Sequence, residues 1–250
     1  MAGHSHWAGI KHKKALIDSK RGKLWSKLSK AITIAASGGG GDPDMNLRLR
    51  YAINDAKSVS MPKDNIERAI KKGTGELEGG QFEEVIYEGY GPGGVAVLCD
   101  ILTDNRNRTA PEVRKIFEIA GGKLGATGCV AWMFERKGVV MIAAEQTDEE
   151  SLLELALEAG AEDVKTVDDK FEIVCDPEAL TQVRNALEKS EINPEMCDIS
   201  RIPNDTVDLD VEVARKVLKM MDALDDHEDV QSVAANFNIP EAAMAELEAE

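Results

Sequence analysis

Eight lysines or arginines, three histidines and two tryptophans fall within the first thirty residues of this 250-residue chain, beside a single aspartate. Lys11, Lys13, Lys14, Lys20, Arg21, Lys23, Lys27 and Lys30 can neutralise several phosphates at once. Each such contact releases condensed counterions, which drives affinity for a polyanion whatever its sequence. Indole rings among lysines can stack on unpaired bases. Trp7, in a polar stretch, suits that role as well as it suits burial, whereas Trp25, beside Leu24 and Leu28, reads as core. His4, His6 and His12 include the H-x-H spacing of metal sites. No Cys or carboxylate within a few residues completes a coordination sphere, so they read as partners of phosphate or solvent.

Thr103-Asp104-Asn105-Arg106-Asn107-Arg108-Thr109 is a polar stretch between a strand pattern and a helix pattern. Arg106 and Arg108 can hold phosphate there beside a helix N-terminus, or pair with the protein's own acids, and the two readings carry equal weight. Catalysis has no comparable support. His227 is the only histidine outside the arm, and 46 acidic residues supply accidental carboxylate pairs everywhere. Gly38–Gly41 and Gly89–Gly94 lack both the Gly-Lys-Ser/Thr ending of a phosphate loop and the GxGxxG-helix setting of a dinucleotide fold. The second run reads as a hairpin or bulge between strands. The chain is read as a non-enzyme with no cofactor and no metal.

The charge is divided along the chain. Residues 1–75 hold 15 Lys+Arg against 6 Asp+Glu, a net of +9, and residues 76–250 hold 15 against 40, a net of −25, giving the overall −16. A basic head on an acidic body points to a polyanion partner and repels it everywhere but at the head. Apolar content of 43% and charged content of 30% fit a globular protein of two or three domains. The four cysteines have no CxxC spacing and read as small buried hydrophobes. The first residues have no apolar signal-peptide region, and the longest apolar runs, such as Val95–Cys99, are strand-sized. No membrane partner is expected, and the location expected is the cytoplasm.

The elements that must position the cations can be read from periodicity. Leu24, Leu28, Ala31, Ile32 and Ala35 recur at helical spacing over Lys23–Ala36, with Lys20, Lys23, Lys27 and Lys30 on an adjoining strip. The glycine run stops that helix, and Asp42-Pro43 suits the cap of the next one. That helix turns Met45, Leu49, Ala52, Ile53 and Ala56 inward, with Arg48 and Arg50 elsewhere. A third helix from Pro62 ends at Lys71-Lys72-Gly73, with Gly73 as its stop. A second segment has strands at Glu84–Tyr90, Val95–Leu102 and Val130–Glu135 and a helix at Pro111–Ala120 capped from Thr109. Residues 138–202 then read β-α-β-β-α-β, the ferredoxin-like order. A helix at Asp210–Leu224 and a strand at Asp229–Asn236 follow, and then an acidic tail. The fold class is α/β (α+β): a basic arm and helical bundle over 1–75, a discontinuous α/β domain of 76–135 with 204–240, and an inserted ferredoxin-like domain over 136–203.

The text of the chain also resembles a known family. The matching strings are Gly3-His4-Ser5-His6-Trp7 with Ile10-Lys11-His12-Lys13-Lys14, Lys23-Leu24-Trp25-Ser26-Lys27-Leu28 before the glycine run, and Ser60-Met61-Pro62-Lys63-Asp64-Asn65-Ile66-Glu67-Arg68-Ala69-Ile70. Tyr87-Glu88-Gly89-Tyr90-Gly91-Pro92-Gly93-Gly94 and Thr103–Thr109 extend the match. It resembles the YebC/PmpR family of transcriptional regulators, which includes the mitochondrial translational activator of cytochrome oxidase subunit I. The resemblance covers essentially the whole chain. It implies three domains with a helical N-terminal one, and neither cofactor nor catalysis.

Members are described as DNA-binding regulators of transcription, and others as ribosome-associated factors that assist translation, including across proline-rich stretches. The reading is therefore a DNA-binding regulator of transcription acting through its basic N-terminal domain. Its contacts are the arm and first helix, with Trp7, Arg48, Arg50, Arg106 and Arg108 assisting. The alternative is an RNA-binding translation factor on ribosomal RNA, since lysines facing phosphate do not distinguish DNA from RNA. A metal-dependent nuclease using His4, His6 and His12, or a protein-binding adaptor, are further readings.

Overall fold

In the computed structural model, residues 21–78, 82–167 and 169–248 are described, and they fall into two compact units. The first unit comprises 21–129 with 212–233, the second 130–211 with 234–248. Secondary structure is mixed helix and sheet throughout.

The first unit begins with three helices: α1 (Arg21–Gly39), α2 (Leu47–Ser58) and α3 (Lys63–Gly73). Ile32, Ala35 and Ala36 from α1, Leu49, Ile53 and Ala56 from α2, and Ile66 and Ala69 from α3 close one apolar cluster. Trp25 and Leu28 pack on its side, and the Trp25 indole N–H donates to Val59 O at 3.3 Å. Two local expectations give way. The cap of α2 is Asn46, whose Oδ1 accepts from Leu49 N–H at 3.1 Å while its Nδ2 donates to Ala35 O and Gly40 O, both at 2.8 Å. Helix α2 therefore starts four residues past Pro43, and Met45 points outward, 84% exposed. Gly73 lies inside the last turn of α3 rather than past it. A Cβ there would stand 2.3 Å from Thr33 O and 2.7 Å from Ala36 Cβ, so the glycine permits α1 and α3 to touch.

The unit continues into a four-stranded sheet. Strands β1 (Glu83–Tyr90) and β2 (Ala96–Thr103) pair antiparallel from Glu83 opposite Thr103 to Tyr90 opposite Ala96. The turn between them holds Gly93 and Gly94 at φ 70° and 78°, where a side chain would be strained. Helix α4 (Arg106–Ala120) leads to the short β3 (Lys123–Leu124) beside β1. From the far end of the chain come α7 (Val211–Asp225) and β9 (Val230–Ala235), and the sheet order is β3-β1-β2-β9. Phe117 of α4 stands over Gly89 and Met220 of α7 over Gly91, so both helices roof the same sheet face. Helix α4 starts at Arg106, not Pro111, because Asn105 Oδ1 caps Arg108 N–H at 3.2 Å. Val130–Glu135 is not a strand of its own. Ala131–Met133 is a single 3₁₀ turn, and Phe134 opens the long β4 (Phe134–Ala143).

The second unit is built on β4, α5 (Glu149–Glu158), β5 (Ala161–Val167), β6 (Lys170–Cys175), α6 (Leu180–Lys189) and β7 (Met196–Pro203). Its order β5-β6-β4-β7, with the β4–β6, β4–β7 and β5–β6 pairs all antiparallel, is the ferredoxin-like topology. Val140, Ile142, Phe171 and Ile173 face Leu152 and Ala156 of α5 and Val183 and Leu187 of α6. Asp148 caps α5 by accepting from Ser151 N–H at 2.9 Å, and that bond holds its carboxyl below the usual range. β8 (Val207–Asp208) and β10 (Phe237–Asn238) form a two-stranded parallel pair, and the expected acidic tail is helical as α8 (Glu241–Glu248). Cys99 and Cys175 are buried. No described helix is long and apolar enough to cross a membrane.

Candidate nucleic-acid interface

Trp7, Lys11, Lys13, Lys14 and Lys20, with His4, His6 and His12, lie outside the described residues, as does the side chain of Arg21. The rest of the expected interface can be followed atom by atom. Lys23 is exposed on the first turn of α1. One turn later the strip changes character. Lys27 Nζ donates to the backbone carbonyl of Asp225 and lies 3.6 Å from its Oδ1. Asp225 is the last residue of α7, where carbonyls lack intrahelical partners and the helix dipole is negative, so an ammonium is well placed. Lys30 Nζ donates to Glu228 O at 3.0 Å and to Asp229 Oδ1 at 2.5 Å. The Lys27 and Lys30 side chains are only 12% and 14% exposed. In this structure the two side chains are turned to the protein's own acids and carbonyls and are not open to solvent. Both ammoniums are spent on the corner where α7 turns into β9.

Asp229 is the centre of that corner and is 3% exposed at its side chain. Its Oδ2 accepts from Thr109 Oγ1 at 2.7 Å, Arg108 Nη2 at 2.9 Å and Thr103 Oγ1 at 3.3 Å. Its own carbonyl accepts from Leu102 N–H at 2.8 Å, stitching the corner to β2. Burial pushes the Asp229 carboxyl up, but the hydrogen bonds from Lys30, Thr109 and Arg108 and the charge of Lys30 outweigh it. The carboxyl is held well below the usual carboxylate range. His227 completes the turn. Its Nδ1 accepts from Asp229 N–H at 3.1 Å, which puts the ring proton on Nε2, 3.0 Å from Glu112 Oε2.

The arginines resolve the same way. Arg108 also reaches Asp104 at 3.1 Å, and Arg106 Nε lies 3.3 Å from Glu83. In the structure both arginines of that loop lie against the protein's own acids. Arg48 pairs with Glu84 at the start of β1. Arg50 donates to Pro43 O at 2.9 Å and to Asp44 O at 3.0 Å, fixing the turn before α2.

The cations left over are ones that periodicity did not single out. Lys57, Arg68, Lys71 and Lys72, like Lys23, are exposed, and none has an ion-pair or hydrogen-bonded acid among the described residues. Arg68, Lys71 and Lys72 have i, i+3, i+4 spacing on α3, about 200° round from Ile66, Ala69 and Ile70. The signal was in the sequence, but Lys71 and Lys72 already had a local explanation as complements of a helix C-terminus. Among the described residues, no cluster of three His, Cys, Asp or Glu that could hold a metal occurs.

Residues 5–76 match the family model of the TACO1/YebC protein N-terminal domain, and residues 82–237 that of the TACO1/YebC second and third domain. A "Probable transcriptional regulatory protein RB5500" from Rhodopirellula baltica is 56% identical over 247 residues, covering 98% of this chain and 100% of that one. A "Probable transcriptional regulatory protein" from Natranaerobius thermophilus is 58% identical, covering 98% and 99% respectively. The crystal structure of a conserved hypothetical protein, Aq1575 from Aquifex aeolicus, superimposes with a TM-score of 0.86 at 55% identity, covering 94% of this chain and 98% of that one. With both models matched and full-length relatives above half identity, the chain belongs to the TACO1/YebC family.

Proposed function

We propose that this protein is a cytoplasmic nucleic-acid-binding regulator of transcription whose contact surface is its basic N-terminal domain. The observation that carries the reading is the charge division, +9 over residues 1–75 against −25 over the remainder. The names of the relatives, probable transcriptional regulatory proteins, agree with it. In the described part of the head, the exposed cations with no paired acid among the described residues are Lys23, Lys57, Arg68, Lys71 and Lys72. The acidic body steers a polyanion toward that side.

One observation favours a second reading, an RNA-binding factor of translation. A duplex reader places side chains with paired donors and acceptors against base edges, and amides are the usual choice for adenine. Asn46 spends its amide on Leu49, Ala35 and Gly40, which leaves Asn54 as the amide on α2. Lysines without such partners bind a backbone and do not read a sequence.

Competition at physiological salt tests both readings. A regulated promoter duplex, a scrambled duplex of equal length and a structured ribosomal RNA compete for the full chain. A promoter preference of about 10³ or more over scrambled duplex confirms a direct operator reader. Preference for the RNA installs the translation reading, and absence of binding to all three overturns both.

A further inference from the structure

The apolar cluster of the helical head is made of head residues alone, from Ile32 on α1 to Ala69 on α3. The described links from the head to the α7–β9 corner are of another kind. Lys27 sits on Asp225, and Lys30 on Glu228 O and Asp229. An apolar interface is indifferent to a competing anion. An ammonium–carboxylate interface is not, because a phosphate oxygen accepts the same charge-assisted hydrogen bond.

We infer that Lys27 and Lys30 form a latch that closes the head onto the α7–β9 corner, and that a phosphodiester backbone opens it by competing with Asp225 and Asp229 for the same two ammoniums. The partner in this inference rests on the nucleic-acid reading above, while the latch itself rests on the contacts. In the closed state the two lysines are withheld from phosphate, and the head binds through its remaining cations. In the open state the whole strip from Lys23 to Lys30 is available. The closed state therefore lowers apparent affinity, at most by the fraction of molecules that are open. The corner supplies carboxylates and helix-end carbonyls in the place that phosphates would take. The acidic body thus does more than repel nucleic acid, because one corner of it imitates the ligand.

The test uses the full chain and three variants. D225N weakens the latch at its more exposed carboxylate and leaves Asp229 with Thr103, Thr109 and Arg108 in place. E118Q, on the exposed side of α4, removes the same charge away from the latch. D225N with K27Q and K30Q removes the ammoniums as well. Binding is read with a 30-nucleotide single-stranded RNA and with a 30-base-pair duplex. Opening is read separately, as the rate at which endoproteinase Glu-C cuts after Glu76 or Glu78. If one molecule in ten is open, D225N binds up to about tenfold tighter than E118Q, and the gain vanishes when Lys27 and Lys30 are also replaced. Cleavage accelerates in D225N, and in the unmodified protein on addition of whichever 30-mer binds. If D225N behaves as E118Q in both readouts, or gains affinity with unchanged cleavage, the latch is overturned. Faster cleavage of D225N with no binding by any form supports the latch and refutes the nucleic-acid reading instead.

Discussion

The α7–β9 corner and the outer face of α3 hold the same side chains to opposite ends. At the corner, Lys27, Lys30 and Arg108 converge on carboxylates and carbonyls, and the central acid is buried. On α3, Arg68, Lys71 and Lys72 stand in water with no acid beside them among the described residues. A count of lysines treats the two as one basic head. Pairing separates a part that holds the molecule together from a part that is free to meet a ligand.

Substitution at the centre of the corner gives the largest expected effect. Asp229→Ala leaves Lys30 and Arg108 facing each other without their carboxylate. Breaking a buried pair from one side costs about 3–5 kcal/mol, and the partial exposure of Arg108 puts the expectation at the lower end, about 3 kcal/mol. Urea unfolding reads it directly, and a loss below 1 kcal/mol would remove the corner's claim to hold the structure. The acid limb of stability carries the same information. The Asp229 carboxyl has a folded pKa below its unfolded one, so its contribution is complete above the unfolded value of about 3.9 and is lost as pH falls toward the folded value. Between pH 5 and pH 3 the unmodified protein should lose stability more steeply than Asp229→Asn.

The α3 face sharpens the other half of the comparison. Replacing Arg68, Lys71 and Lys72 together by Gln should lower the slope of log K against log salt by about 2–3 for duplex, with stability changed by no more than about 0.5 kcal/mol. An unchanged slope in a folded protein would return that face to plain solvated surface.

Asn46→Ala removes the α2 cap and two donated bonds to the chain leaving α1. The expected cost is about 1–2 kcal/mol in unfolding free energy. A neutral substitution there would restore the capping role to Asp42. The smallest effect is reserved for Arg48→Gln. The Arg48–Glu84 pair is exposed on both sides, so the loss should stay under about 1 kcal/mol and shrink with added salt. A loss as large as that at Asp229 would mean that the head is held at β1 rather than at the corner.

Much of this architecture was legible in the chain. The ferredoxin-like order needs only alternating strand and helix patterns, and β4 through β7 supplied them. The helical head showed its core at Leu49, Ile53 and Ile66 because apolar spacing is local information. Competition between nearby caps was not legible. Asn105 wins the start of α4 over Thr109 because the Thr109 hydroxyl has a better use on Asp229. Least legible of all was the fate of the lysines. Lys27 and Asp225 are 198 positions apart, and no window of sequence shows that the helix ending at Asp225 returns to meet α1.

The contact at Gly73 fixes where the chain leaves the head. With α1 and α3 touching through Thr33 and Ala36, the last turn of α3 is a firm anchor for the stretch 74–82 that leads into β1. The N–H groups of Thr74, Gly75, Glu76 and Leu77 donate back to Ile70 O, Lys72 O and, for the last two, Lys71 O, so the chain leaves α3 along a set path. Lys27 and Lys30 then meet the α7–β9 corner from a head whose exit is already set, so the two contacts lock an orientation instead of creating one.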